Sequence, residues 1–566
     1  MVGGRAWNYT LCRSQHRTGI PTMKTLPRLS THFGTVALGL SLLATACSGP
    51  QGEPGPKGDK GEPGTSATVD PRLSALEKAY VGIGGKAALQ ALTTFELQVT
   101  GYRFMRGEGY TPESGTLPAN SFQSTLRYDL AGDRFSLQTS RTLFFFNANL
   151  PQTYREVIRG NLGYLDGNEG LLGPAGGNLK SDRVAAMRRQ QRLLNPHLLL
   201  KEVAAAPSRA RDGGAQLLDG TLHHLLVLED GIHPITLYVN ATTGKISKLV
   251  TVENDPLHRD VPVELLYLGW EAAPQGGLLF PTDVYIAVDG EIVHTESRKA
   301  VTVNGTLDAT TFELPASASP TYNAEDASRG ERNHQFHMGF ASIGIPLDGL
   351  QTLVAPVELA PGVFHLTGGS HNSLVIEQSN GLVLVEAPLN EERSEALLAW
   401  VKGRFPTKPI THVFSSHFHD DHSAGLRTFV AEGVKVVVGE PSSRLFRDVF
   451  RAPSTIKPDA LSRKPTVARL DAVAVGGNYT VEDTTRPVAA YHVNTTHAAD
   501  MLMVYLPNEK LLFSSDIYSP GIPGSPYPAR ELYKSITEVH KLTVERVAGA
   551  HGGVKDFSDL ATLANQ

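Results

Sequence analysis

Cysteine is almost missing. The 566-residue chain holds two, Cys12 and Cys47. Neither a disulfide framework nor a thiolate metal site can therefore be built from the rest of the chain. Basic runs are missing too: 52 Lys and Arg stand against 57 Asp and Glu, a formal net charge of −5. Without a dense cationic field to displace counterions, the composition argues against a nucleic-acid partner. Long apolar runs are also wanting. The best, VALGLSLLA before Cys47, falls well short of the roughly 20 residues that a membrane-crossing helix needs. What is present is ordinary globular material, 41% hydrophobic and 19% charged, long enough for two or three domains.

The start of the chain has the layout of an export leader, residues 1–47, with the true start possible at Met23. Lys24 and Arg28 precede the apolar run, and small residues precede Cys47. Ala44-Thr45-Ala46-Cys47 resembles the lipobox of bacterial lipoproteins, with Ala44 where leucine is usual. That resemblance implies lipidation at Cys47 and a protein anchored at a membrane surface, facing the periplasm or the cell exterior. Plain leader cleavage beside an incidental cysteine is the alternative. Residues 48–69 follow with glycine at every third place, Gly52, Gly55, Gly58, Gly61 and Gly64. The pattern is collagen-like, but so few triplets read as an extended hydrophilic tether.

From 70 to 316 the chain reads as antiparallel β-structure. Segments such as FELQVTGYRF, RFSLQTSRTLFFF and ITLYVNATTGKISKLVTVEN alternate in polarity between Gly, Asn and Asp turns. Helical spacing is expected near 73–92 and 183–203. The region resembles the half-barrel of bacterial lipoprotein-carrier proteins in its IGGKAAL helix and its closing VNGTLDATTFELP, which would suit a lipid or partner ligand. His223, His224, His334 and His337 have no partners at ligand spacing and read as core or surface residues. Residues 317–350, rich in Pro, Ser, Asn and Asp, read as a linker.

Residues 351–566 change character. GLVLVEAP and ITHVFSS read as strands, NEERSEALLAWVKGRF as a helix with Asn390 as its N-cap, and the alternation continues to the end. The strand ITHVFSS runs into SSHFHDDHSAGL, where five of the six residues from His417 to His422 are ligand types. In extended backbone, residues i and i+2 face one side, so His417 and His419 can share an ion while Asp421 and His422 point toward a second. Distant partners lie at strand ends or loops: His497 in VNTTHAAD, Asp516 in LLFSSD and His551 in VAGAHGG.

This order, H-x-H-x-D-H followed by His, Asp and His, resembles the metallo-β-lactamase superfamily over the C-terminal domain. The resemblance implies an α/β four-layer αββα sandwich with a two-metal cleft. By analogy His417, His419 and His497 would bind the first metal, Asp421, His422 and His551 the second, and Asp516 both. Two zinc ions suit imidazole and carboxylate ligands, with iron or manganese possible. A metal-bound hydroxide would attack a carbonyl, with Asp421 as the catalytic residue that orients it. Glu386 stands where the family usually has an aspartate behind the ligands, and His371 and Tyr518 are candidate cleft residues.

The absence of later cysteines removes the lactamase subclasses that need one. The expectation is thus a hydrolase of a small ester, lactone, thioester or amide. The alternatives are a cysteine-free β-lactamase, a single-iron persulfide oxidoreductase of the same fold, or a lipid- or partner-binding protein acting through the N-terminal region.

Overall fold

Alternating polarity in the N-terminal half becomes one antiparallel sheet of thirteen strands. The computed structural model describes residues 74–144, 149–171, 176–231, 233–275, 277–349 and 352–566. The leader, Cys47 and the glycine-rich tether lie outside them. The chain begins at the sheet's middle with Thr94–Met105 and steps outward strand by strand to an edge at Gly177–Asn178. Two helices, Ser181–Leu194 and Pro196–Ala205, then lead to the opposite edge at Ala210–Leu218. From there the strands return inward until Glu291–Val303 pairs with Thr94–Met105. Leu193, Leu194, Leu198 and Val203 of the helices share one core with Phe95, Phe135, Leu237 and Ile286 of the strands.

Three expectations for this half need correction. The helical spacing over 73–92 is two short helices, Ala75–Gly82 and Lys86–Gln90. The helical spacing over 183–203 is two helices, broken at Asn195, where Pro196 opens the second. Residues 317–350 are not simply a linker, because they carry the helices Ala324–Arg332 and His334–Ser342. The first is capped by Asn323, whose side chain accepts from the N–H groups of Glu325 and Asp326, with Arg329 and Arg332 in its last turn. It lies against the Ser181–Leu194 helix so closely that a Cβ on Gly330 would sit 2.0 Å from the Asp182 carbonyl oxygen. The histidines here are structural. Buried His334 is hydrogen-bonded to Glu253 and Gln190 at 2.6 and 2.7 Å.

The C-terminal half builds two mixed sheets, of seven and six strands. In Leu382–Val385 every side chain is buried. Leu382 and Leu384 join one hydrophobic cluster, while Val383 and Val385 join another. This two-sided burial explains the unbroken apolar run. The cluster on the Val383 side draws residues from both sheets, including Phe414 and Val437 from one and Leu502 and Phe513 from the other. Helix residues Leu397, Phe429, Leu532 and Leu560 pack on the opposite faces. In the seven-stranded sheet Leu382–Val385, Ile410–Phe414 and Lys435–Gly439 run parallel. In the other, Leu511–Phe513 and Arg546–Ala548 do. Ligands of α/β proteins gather at the carboxyl ends of such strands, and the candidate ligands other than His497 follow shortly after them.

Candidate metal centre

The six-residue cluster begins just past Ile410–Phe414. His417 leaves the strand, and His419 caps the short helix Asp420–Ser423, which carries Asp421 and His422. His497 lies between the strands Val488–His492 and Leu502–Leu506, Asp516 follows Leu511–Phe513, and His551 follows Arg546–Ala548. The fold brings all seven together. His417, His419 and His497 present one ligand atom each within 4.8 Å of one another, and so do His417, His422 and Asp516. A third group joins Asp421, His422 and His551 to His371.

Each imidazole but one shows the same division of labour. One ring nitrogen is tied to protein and the other faces the cleft. His417 Nδ1 lies 2.9 Å from Ser416 Oγ, which in turn contacts Ser515 Oγ at 2.6 Å. His419 Nε2 meets the Gly109 carbonyl at 3.0 Å, and His422 Nδ1 meets Glu386 Oε2 at 3.2 Å. His551 Nδ1 meets the Ser370 carbonyl at 2.9 Å. For His497 the cleft-facing atom is Nε2, 3.2 Å from His417 Nε2. Such outer partners fix the tautomer and aim of metal-binding histidines.

The inward atoms are short of partners. His419 Nδ1, Asp421 Oδ1 and Asp516 Oδ1 are buried without a hydrogen bond. His422 Nε2 is likewise unbonded, although Asp516 Oδ1 lies 3.0 Å away. Two ligands on one tetrahedral ion with bonds of about 2.05 Å stand about 3.3 Å apart, close to the His417–His497 separation. Buried polar atoms left unpaired are costly, and divalent cations bound in the cleft would satisfy them. The donor set therefore fits a metal.

Electrostatics divide the cluster in two. Burial and neighbouring imidazoles hold His417 well below the ordinary histidine range. Burial, with His497 close by, brings His419 down to about 4. Both are neutral near pH 7, as ligation requires. Burial works against the charged form of His422 too, but Asp516, Asp421 and Glu386 outweigh it and hold its pKa well above normal. His422 and His551 in turn hold Asp516 well below the carboxylate range against its own burial.

The remaining candidates fall unequally. Glu386 stands behind His422, with Oε2 3.2 Å from its Nδ1. His371 lies deeper in the site than expected, with Nε2 2.9 Å from Asp421 Oδ2 and its ring 4.2 Å from that of His551. Tyr518 is buried in the apolar core beside the site and is in none of the ligand groups. Sequence reasoning missed Glu108, which groups with His419 and Asp421, and the serines Ser370, Ser416 and Ser515. A serine next to a ligand histidine is too common to stand out, and nothing near Glu108 in sequence marks it.

Residues 366–551 match the family model of the metallo-beta-lactamase superfamily. Curated relatives include a metallo-beta-lactamase type 2 of Bacteroides fragilis, 22% identical over 142 residues, covering 25% of this chain and 50% of the relative. Metallo-beta-lactamase IND-1 of Chryseobacterium indologenes is 27% identical over 153 residues, covering 27% of this chain and 56% of the relative. The chain spans about half the length of the curated relatives it matches. Among solved structures, a metallo-beta-lactamase from Pontibacter korlensis aligns with 38% of this chain and 100% of its own at 20% identity and a TM-score of 0.29.

Proposed function

With residues 366–551 forming a metallo-β-lactamase superfamily domain, we propose that the protein is a metal-dependent hydrolase of a small ester, lactone, thioester or amide. The observation that carries this reading is the shared division of labour among His417, His419, His422 and His551, each tied outward and open inward. Two ions, zinc by ligand chemistry, would lie between His417, His419 and His497 on one side and Asp421, His422 and His551 on the other, with Asp516 between. Bound there, they would lower the pKa of water to about 7 and polarise the substrate carbonyl.

The chain's own groups supply orientation. His371 holds the Asp421 carboxylate at 2.9 Å, and Asp421 would align the attacking water through its second oxygen. Because carboxylates from both sheets meet around His422, a two-metal centre fits better than a single iron, which disfavours the oxidoreductase alternative. The two sheets with a shared core and helices outside support the four-layer αββα reading. The thirteen antiparallel strands with their helix pair support the half-barrel, whose lipid or partner ligand is part of this proposal. Export and anchoring through Cys47 rest on the leader sequence; no helix among the described residues is long and apolar enough to cross a membrane.

The test is elemental analysis of metal-replete protein with a panel of lactones, esters, thioesters and a chromogenic β-lactam. About two zinc ions per chain are expected. Asp421→Ala and His422→Ala should each cut turnover at least a thousandfold while the circular dichroism spectrum is kept. Full activity in both variants would overturn the assignment.

A further inference from the structure

The loop between the strands Thr94–Met105 and Leu117–Asp129 leaves the N-terminal sheet and enters the metal cleft. The Gly109 carbonyl accepts from His419 Nε2 at 3.0 Å. The Tyr110 carbonyl accepts from the Ala499 N–H at 2.7 Å, two residues past His497. Between these anchors and the sheet stands Glu108. Its side chain is 10% exposed, and Oε2 lies 3.4 Å from His419 Nδ1. Oε1 is buried without a hydrogen-bond partner. One carboxylate oxygen, one His419 nitrogen and one Asp421 oxygen lie within 4.8 Å of one another.

The tautomer decides what this contact means. Because His419 gives its Nε2 hydrogen to Gly109, the neutral ring offers a lone pair at Nδ1, and Glu108 offers another. Two acceptors at 3.4 Å repel unless a proton or a metal cation stands between them. The neighbouring base, Arg106, is engaged by Asp255 and Asp289 at 3.4 and 3.0 Å. The spacing instead matches the about 3.3 Å expected of two ligands on one tetrahedral ion. An acid buried beside Asp421 without a counter-charge would be costly.

We propose that Glu108 is an additional metal-ligating carboxylate, delivered to the centre by the N-terminal sheet. The inference rests on the reading of the cleft as a metal site. It makes that site a joint product of both halves of the chain, with the loop standing over one side of the cleft.

The test uses the full chain and cobalt(II) in place of zinc, with affinity read by competition against a chromogenic chelator and geometry by the visible absorption bands. Glu108→Gln, nearly isosteric, and Glu108→Ala should both weaken one equivalent at least tenfold and change the bands. Glu113→Gln, an exposed residue of the same loop, should change neither. Wild-type affinity and spectrum in both Glu108 variants would overturn this proposal alone. A wild-type chain that takes up no metal would sink the hydrolase reading along with it.

Discussion

At the scale of single residues, Glu386 shows how the site is held. Its side chain is wholly buried. Oε2 receives the His422 contact and Oε1 accepts from the Ser416 N–H at 3.2 Å, so one carboxylate braces ligands on both sides of the turn. Its φ of +73° is unusual for a residue with a side chain, and Leu389 at +66° and Ser515 at +50° share the left-handed region nearby. Strain of this kind persists where surrounding contacts over-determine the backbone. Glu386→Asp withdraws the carboxylate by one methylene, while aspartate tolerates positive φ at least as well as glutamate. The expected result is a 10–100-fold loss of metal affinity, the usual effect of removing a ligand's outer partner, with little change in melting temperature of the metal-free protein. Chelator competition measures it, and wild-type affinity in Glu386→Asp would show that the brace is idle.

At the scale of elements, strands and strong caps were legible in sequence and the helix Ala324–Arg332 was not. LVLV is apolar on both faces because both faces are covered. Asn390 reads as an N-cap, and its side chain does accept from the Arg393 N–H at 2.9 Å. Asn390→Ala should lower stability by about 1 kcal/mol and leave metal affinity alone, as urea melts and a cobalt titration would report. The helix Ala324–Arg332 was hidden because it docks through Arg329, Gly330 and Asp182 rather than through an apolar stripe, so its sequence resembles a linker. The candidate metal ligands, which the fold gathers, were legible because metal chemistry demands rare residue types at tight spacing. Glu108 was not, since EGYTPESG is an ordinary turn sequence and only folding brings it to His419, 310 residues beyond Gly109. Among the helices, His197 makes a pH prediction. Burial pushes its pKa down to about 3. Its Nε2 lies 2.7 Å from the Leu279 carbonyl and its ring stacks on Phe280. The folded state prefers the neutral ring, so this stability is complete above the unfolded value near 6.5 and fades as pH falls toward 3. His197→Gln should flatten that part of a pH–stability curve; an unchanged curve would assign the acid sensitivity elsewhere.

At the scale of the molecule, the two halves are joined by buried charge as well as by the loop over the cleft. Arg259 of the N-terminal sheet is 2% exposed. It lies 3.5 Å from Asp459 and donates to Ser454, while Arg427 of the metal domain grips the same aspartate. Asp260 adjoins it, accepting from the Thr455 N–H at 2.7 Å. Burial alone would raise the Asp459 pKa, but the hydrogen bond from Arg427 and the charge of Arg259 bring it down to about 2. This contact is therefore at full strength above the unfolded value near 3.8 and is lost between there and pH 2. Arg259→Ala removes one cation from a buried network, for which a loss of about 3 kcal/mol is ordinary. Since Gly109 and Glu108 reach His419 only while the halves stay docked, the same substitution should weaken metal binding from a distance. Bound metal also stabilises whatever it bridges, through mass action. Zinc-loaded wild-type protein should unfold in one transition. Arg259→Ala stripped with a chelator should show two, the metal domain melting apart from the sheet. If instead Arg259→Ala binds zinc as tightly as wild type and still melts in one step, the halves are coupled by something other than this network.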